Sequence, residues 1–273
     1  MMNQLLESMD YSKNSFVDLF CGSGTVSLNV ADKYNSILLI DSLEQQIEML
    51  EYMANTPYNK LIEEVESYID TYKLSKTNKE GYLQCRADYN ASKTKPCMQL
   101  YALIMHSFNY FITFNSKGEY NNPFGMNRSC FNSSLRKKFK DVVEKLHEMA
   151  NKRKFYNNSF LSYNYSNIKN TMFYADPPYL ISDSSLTRSA KIRWTEVEEK
   201  KLLDFLRMVD KEGGSFLLSN VLVTNGKENK LVIDFANEFN KKLVNTEYTN
   251  CNYQRKNKGD TIEVLISNYD LTK

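Results

Sequence analysis

A glycine turn between a short apolar run and a helical segment is the feature that most constrains this sequence. The run Phe16–Phe20 is followed at once by Cys21-Gly-Ser-Gly24, and a helical pattern begins at Thr25. Glycines directly after a strand let the backbone turn sharply and bring a ligand close to the next helix. The pattern predicts the first strand–turn–helix unit of a parallel sheet, with a ligand site at the turn.

A second unit of the same kind follows. The apolar run Ile37–Ile40 ends in Asp41, and a helical pattern covers Glu44–Met53. Strands that alternate with helices indicate a doubly wound α/β sheet. An acidic residue at the end of the second strand can accept hydrogen bonds from both ribose hydroxyls of an adenosine-containing cofactor. Asp18 would then face the amino acid end of that ligand. A tight turn with a capping aspartate, and no ligand, is the alternative.

The rest of the chain predicts one α/β domain with an insertion. Further strands are expected at 172–175, 215–218, 243–248 and 262–267, with helices at 196–208 and 227–239. Residues 57–107 have helical spacing, and two extended runs then surround a polar turn at Gly118. We expect a catalytic domain of residues 1–55 and 151–273. Residues 56–150 would form a target-recognition subdomain, with a hairpin at about 109–128 and a basic helix after it.

Composition excludes several classes of protein. The five cysteines are scattered without metal-ligand spacing, and the chain has two histidines, so no metal centre is expected. The apolar runs are too short to cross a bilayer, and no secretion signal is visible at the amino terminus. We therefore expect a cytoplasmic protein without a membrane partner.

Basic residues are concentrated in one segment. The net charge is +2, yet residues 128–154 contain nine Lys or Arg and three acidic residues. Such a segment on a nearly neutral protein suits contact with nucleic acid on one face. A solvated helix face gives the same pattern and is an equally good interpretation.

The most specific motif is Asp176-Pro-Pro-Tyr179, directly after the predicted strand at 172–175. Consecutive prolines supply no N–H groups, which leaves the Asp176 carboxylate and the Pro177 carbonyl as convergent acceptors. Two acceptors on one amino group would draw it away from planar geometry and free its lone pair to attack a methyl sulfonium. Tyr179 offers a face on which an extruded base can stack. The catalytic residues predicted from this motif are Asp176, Pro177, Pro178 and Tyr179.

Together, the glycine turn after Asp18 and the tetrapeptide at Asp176 resemble the motifs of adenine amino-methyltransferases. Their order, with the insertion between them, resembles the α class, or D12 family, and further segments resemble the Dam methylases of T-even phages. The resemblance implies S-adenosylmethionine as methyl donor and double-stranded DNA as partner. It implies a Rossmann-like fold with a mixed seven-stranded sheet and an inserted recognition subdomain of helices and a β-hairpin. The activity implied is adenine-specific DNA methylation, with GATC or a relaxed variant as target.

Residue positions carry over from the same resemblance. The cofactor site would be formed by Asp18, Phe20, Gly22, Gly24, Asp41, Tyr163 and Asp176. The DNA contacts would come from Phe111, Thr113, Asn115, Lys117, Pro123, Asn127, Arg128, Arg136 and Lys137. Ser219 and Asn220 would lie near the floor of the site, and Tyr253 near the flipped base.

Two differences from the family concern recognition. The residues before Phe16 do not match the Gly- and Lys-containing turn with which family members begin. Thr113 and Asn127 stand where GATC-specific relatives carry guanine-reading arginines, whose paired donors fit O6 and N7 of guanine. Arg128 lies one place beyond the second position. The catalytic half therefore matches the family, while the recognition half is altered.

Two alternatives remain open from the sequence. One is a methyltransferase that acts on another adenine-containing substrate or on an amide. The other is a catalytically impaired relative that binds DNA.

Overall fold

The computed structural model describes residues 2–181, 194–244 and 261–271. Within these ranges the strands are β1 (Ser15–Asp18), β2 (Ser36–Asp41), β3 (Arg153–Asn157), β4 (Thr171–Ala175), β5 (Ser215–Thr224), β6 (Lys227–Glu228), β7 (Asn240–Val244) and β8 (Ile262–Ser267). The helices are α1 (Met2–Glu7), α2 (Thr25–Asn29), α3 (Glu44–Asn55), α4 (Tyr58–Thr71), α5 (Lys79–Ala91), α6 (Cys97–His106), α7 (Ser133–Glu148), α8 (Glu196–Lys211) and α9 (Lys230–Glu238).

One mixed sheet organises the strands. In the described residues its order is β3-β2-β1-β4-β5-β8-β7, and the two-residue strand β6 pairs with β5. The five strands from β3 to β5 are parallel, whereas β8 is antiparallel to both β5 and β7. The expected Rossmann-like α/β fold with a mixed seven-stranded sheet is confirmed.

The central strands are mostly apolar and buried because both faces of the sheet are covered there. Phe173 and Phe216 are fully buried on the face that packs with Leu202 and Leu206 of α8 and with Phe235 of α9. Four helices, α5, α7, α8 and α9, begin after a residue whose side chain accepts a hydrogen bond from an amide of the first turn. The Thr195 side chain accepts from the Val197 amide at the start of α8, for example.

The described residues form two compact units, one with residues 2–42, 152–181, 194–244 and 261–271, and the other with residues 43–151. The first unit contains the sheet with α1, α2, α8 and α9. The second is largely helical, and its core includes Leu61 and Val65 of α4 and Phe139 and Val143 of α7. The four-residue spacing of each pair places both side chains on one helix face.

The predicted hairpin at 109–128 has a looser form than expected. The segment reverses at a turn in which the Gly118 amide donates to the Asn115 carbonyl over 2.9 Å. Its antiparallel pairing is limited to isolated bridges, Phe114 with Tyr120 and Ser107 with Phe124. It is therefore a reversed loop without paired strands.

Side chains of α5 bind the backbone of this loop where a neighbouring strand would otherwise do so. The Asn90 side chain donates to the Tyr120 carbonyl over 3.0 Å and accepts from the Tyr120 amide over 2.8 Å. Tyr82 and Arg86 donate to the Asn122 carbonyl over 2.8 and 3.1 Å. Because these three residues are four apart on α5, one face of the helix holds the returning half of the loop.

Candidate active site

The candidate site lies beside β1, at the topological switch point of the sheet. β1 pairs with β2 on one side and with β4 on the other. In open α/β sheets, ligands bind outside the carboxyl ends of the strands at such a switch point. Three carboxylates end or follow these strands, namely Asp18 on β1, Asp41 on β2 and Asp176 after β4.

The glycine turn after β1 adopts the backbone geometry that its residues permit. Gly22 and Gly24 have φ angles of 48° and 73°, in the left-handed region that side chains disfavour. The Gly22 amide donates to Asp41 Oδ2 over 2.9 Å. Asp41 therefore fixes the turn from the neighbouring strand.

Asp18 is a buried carboxylate with an unused acceptor. Its side chain is 1% exposed, and Ser27 Oγ donates to Oδ2 over 2.8 Å. Among the described residues, Oδ1 has no hydrogen-bond partner. Burial, together with the charges of Asp176 and Asp41, raises the pKa of Asp18 to about 7, although hydrogen bonds from Ser27 and the Phe20 backbone oppose the rise. A carboxylate in this state favours a cationic or hydrogen-bonding ligand group beside it.

Asp176 combines solvent access with a crowded setting. The residue is exposed, while the following Pro177 is buried and Pro178 and Tyr179 are half-buried. The Tyr179 hydroxyl donates to Asp176 Oδ1 over 3.1 Å. Desolvation by the surrounding protein, together with the charge of Glu263, raises the pKa of Asp176 to about 6. Hydrogen bonds from Tyr179 and Ser219 oppose this rise. The carboxylate of Asp176 is therefore less acidic than an ordinary aspartate, and it remains reachable from solvent.

Aromatic side chains line the region around the turn. The half-buried Phe20 ring lies 5.4 Å from Phe160 and 5.3 Å from Trp194, the latter edge-on. Tyr163 is half-buried and lies 5.0 Å from both Tyr156 and Tyr165. Each predicted aromatic residue thus packs in a cluster and keeps part of its surface open.

The predicted DNA-contact residues of the loop differ in exposure. Thr113 is 9% exposed, so its side chain is turned away from solvent. Asn115 is committed to the turn, since it accepts from the Lys117 and Glu119 amides over 2.9 and 3.0 Å. Phe111 is half-buried, whereas Lys117, Pro123, Asn127 and Arg128 are exposed.

Arg128 and Arg136 have different surroundings. The exposed Arg128 guanidinium stacks 5.6 Å from the centroid of the Phe108 ring, which leaves its outer edge toward solvent. Arg136, on the basic helix α7, pairs with Glu66 and lies 4.8 Å from the Phe131 ring centroid. Its neighbour Lys137 is exposed.

In the described ranges, no cluster of three His, Cys, Asp or Glu side chains could hold a metal ion. No helix described there is long and apolar enough to cross a membrane. Tyr253 lies outside the described residues.

Comparison with known proteins decides the family. A family model for the D12 class N6 adenine-specific DNA methyltransferases matches residues 1–257. The chain belongs to this family. It is therefore a member of a class of adenine N6 DNA methyltransferases, as the motifs at Asp18 and Asp176 indicated.

Relatives within the methyltransferases include type II enzymes. The chain is 38% identical to the type II methyltransferase M.FokI of Planomicrobium okeanokoites over 98% of its length, and 36% identical to the modification methylase StsI of Streptococcus sanguinis over 99%. It spans 41% of the length of each of these two relatives. A solved rRNA methylase from Streptococcus thermophilus aligns with 98% of this chain and 94% of its own, at 11% identity and a TM-score of 0.35, too low to support an argument. These relatives give no support to the predicted closeness to phage Dam methylases.

Two residues near the site, Trp194 and Glu199, were not predicted from the sequence. Trp194 packs on Phe20, and the fully buried Glu199 accepts a hydrogen bond from the Trp194 indole. Trp194 is the only tryptophan of the chain, which was a signal available in the sequence. Glu199 had none, because two of its three partners, Asn220 and Asn229, lie 21 and 30 positions further along the chain.

Proposed function

We propose that the chain transfers a methyl group from S-adenosylmethionine to the N6 amine of an adenine flipped out of double-stranded DNA. The observation that carries the proposal is the position of Asp176, which is exposed and follows β4 at the switch point of a D12-family fold. An amine inside a duplex is out of reach, so the base must leave the stack.

The residues at the switch point fit the proposed cofactor. The unpartnered Oδ1 of Asp18 suits the amino group of the methionine end. Asp41 would accept from the ribose hydroxyls beside the turn that it fixes. Phe20 and Tyr163 would provide aromatic surface, and Gly22 and Gly24 would allow close approach of the backbone. When bound, S-adenosylmethionine supplies an electrophilic methyl group on a sulfonium.

Asp176 and the Pro177 carbonyl would each accept one N6 hydrogen of the target adenine. The N6 lone pair, freed by these two acceptors, would take up the methyl group that the bound cofactor supplies. N6 would then release one proton to solvent beside the exposed Asp176, and the cofactor would leave as a neutral thioether. Tyr179 would stack on the extruded base, a contact worth about 1–3 kcal/mol. The hydroxyl of Tyr179 is already bound to Asp176, which favours one orientation of both groups.

We further propose that the target is GATC or a relaxed variant of it, read by the loop at 109–128. The burial of Thr113 supports weak reading at that position, and the exposure of Arg128 makes it the guanine reader that we favour. Lys117 and Lys137 would contact phosphates, which fix position without direct sequence information.

Sequencing of plasmid from expressing cells for N6-methyladenine tests the target. We expect methylated adenines in one short motif that tolerates change at an outer base. Strict GATC methylation would contradict the relaxed variant, and an unrelated motif would contradict the target altogether. Absence of N6-methyladenine, with the protein folded and abundant, would contradict the activity.

Arg128 has a separate prediction. Arg128→Ala should lose discrimination at one base position by about 1–3 kcal/mol, the contribution of a bidentate arginine–guanine contact. Lys117→Ala, on the same loop, should weaken DNA binding equally at all sequences. Competition assays with single-base variants measure both. Equal effects of the two substitutions on every sequence would show that Arg128 contacts only the backbone.

A further inference from the structure

Glu199 is a buried carboxylate that receives three hydrogen bonds from side chains. It lies in the first turns of α8 and is 0% exposed. The Trp194 indole N–H donates to Oε2, and the side-chain amides of Asn220 and Asn229 donate to Oε1 over 3.0 and 3.3 Å. Burying a carboxylate is unfavourable unless hydrogen bonds compensate, and here every partner is a donor.

The two asparagines hold this carboxylate in place. Asn220 lies fully buried in β5, and its Oδ1 accepts from the Val221 amide over 2.7 Å. Asn229 caps α9, where its Oδ1 accepts from the Val232 amide over 3.3 Å. Both amides are thereby fixed with their N–H groups toward Glu199. The carboxylate is held by a strand and a helix start.

The third donor, the Trp194 indole, connects the Glu199 carboxylate to the turn after β1. The buried Trp194 ring meets Phe20 edge-on at 5.3 Å and an interplanar angle of 82°. An indole that was free to rotate would lose this packing. Its hydrogen bond to Glu199 favours one ring orientation and so one position for the Phe20 ring.

We propose that Glu199 is a positioning residue for S-adenosylmethionine, acting through Trp194 on the Phe20 wall of the cofactor site. The inference rests on the proposed function, because it takes Phe20 to border the cofactor. Glu199 itself touches neither substrate.

Glu199→Gln is the direct test. Glutamine keeps the shape of the side chain but places an NH₂ group against a donor, so at least one of the three hydrogen bonds is lost. We expect the KM for S-adenosylmethionine to rise by about tenfold, the effect of one lost hydrogen bond, while the KM for DNA stays unchanged. Glu196→Gln, the same chemical change at an exposed position of α8, should leave both KM values unchanged.

A double-mutant cycle separates positioning from stability. A merely destabilising change would reduce the active fraction, which lowers the apparent kcat and leaves the KM for S-adenosylmethionine as it was. Trp194→Phe removes the indole donor, so it should raise the same KM. Adding Glu199→Gln to Trp194→Phe should then have less than about a twofold further effect.

Several results would overturn the inference. One is an unchanged KM for S-adenosylmethionine in Glu199→Gln. Another is that Glu199→Gln and Trp194→Phe change this KM independently of each other. If Glu199→Gln does not fold, an unchanged KM for S-adenosylmethionine in Trp194→Phe would overturn the inference instead. Calorimetry on the unsubstituted protein distinguishes failure of the proposed function, since absence of S-adenosylmethionine binding would remove the cofactor site itself. Because Trp194 is the only tryptophan, its fluorescence provides a second measure of cofactor affinity in Glu199→Gln.

Discussion

At the scale of single residues, Asp41 has two roles that substitution can separate. Its Oδ2 accepts the Gly22 amide over 2.9 Å, and we propose that the carboxylate also accepts from the cofactor ribose. The side chain thus shapes the turn, and in our proposal it also binds the ligand.

Asp41→Ala should weaken S-adenosylmethionine binding by about 1.5–3 kcal/mol, the contribution of a charge-assisted hydrogen bond. Asp41→Asn is the matched control, since its amide oxygen can still accept from Gly22 while its NH₂ group cannot accept from ribose. We expect an intermediate loss for Asp41→Asn in calorimetry. Equal affinity in the unsubstituted protein and both variants would contradict the ribose assignment.

Asp18 predicts a pH-dependent conflict between stability and cofactor binding. Its folded pKa of about 7 lies above the ordinary value of 3.8. The folded protein therefore binds more protons than the unfolded chain between these pH values, and this residue makes the fold less stable as pH rises. Asp18→Asn should raise the Tm at pH 8, with a smaller difference at pH 4.

The same variant should bind S-adenosylmethionine more weakly at pH 8, because it lacks the charge facing the amino group. Asp234→Asn, at an exposed position of α9, should follow the unsubstituted protein in both measurements. If the Tm of Asp18→Asn ran parallel to that of the unsubstituted protein from pH 4 to 8, the buried charge would not be the cause.

At the scale of elements, α5 holds the loop at 109–128 in place of a strand partner. Asn90→Ala removes both hydrogen bonds to the Tyr120 backbone. We expect a loss of about 1–3 kcal/mol in the free energy of unfolding and faster hydrogen exchange at the Tyr120 amide. Gln84→Ala, at an exposed position of the same helix, should change stability by less than about 0.5 kcal/mol. Unchanged exchange at Tyr120 in Asn90→Ala would show that the loop is held by other contacts.

Elements with clear apolar patterns were predictable from the sequence. β2, β4 and β8 follow buried runs, and the last coincides with its predicted bounds at Ile262–Ser267. β3 was missed because Arg153–Asn157 is a strand at the end of the sheet and carries no apolar run. Edge strands pair on one side and need less apolar surface.

The start of α9 was predicted wrongly for a different reason. Lys227 and Glu228 were expected to be helical, yet they form β6, paired with β5 across Asn225-Gly226. Both turn residues have positive φ angles, 50° and 73°. Asn-Gly between extended runs is a strong hairpin signal, so the sequence contained the information and the helical pattern beyond it obscured it.

At the scale of the whole molecule, the order of the motifs predicted the arrangement of the candidate active site. It predicted the structure of the loop at 109–128 less well. Asp18, Asp41 and Asp176 meet at the switch point because the carboxyl ends of parallel strands share one edge. Contacts such as that of Asn90 with Tyr120, or of Glu199 with Asn229, join residues about 30 apart. The periodicity of residue types in the sequence does not predict such pairs.

The central claim is that Asp176 directs methyl transfer to adenine N6. The purified protein should be incubated with methyl-labelled S-adenosylmethionine and duplex DNA, and the digested nucleosides analysed by mass spectrometry. We expect the label in N6-methyldeoxyadenosine for the unsubstituted protein.

Removal of one preorganised active-site hydrogen bond typically lowers kcat by about 10²–10³-fold. Asp176→Ala should show at least this loss while it binds S-adenosylmethionine normally. Label in a methylated cytosine, or substantial single-turnover transfer by Asp176→Ala, would contradict the account.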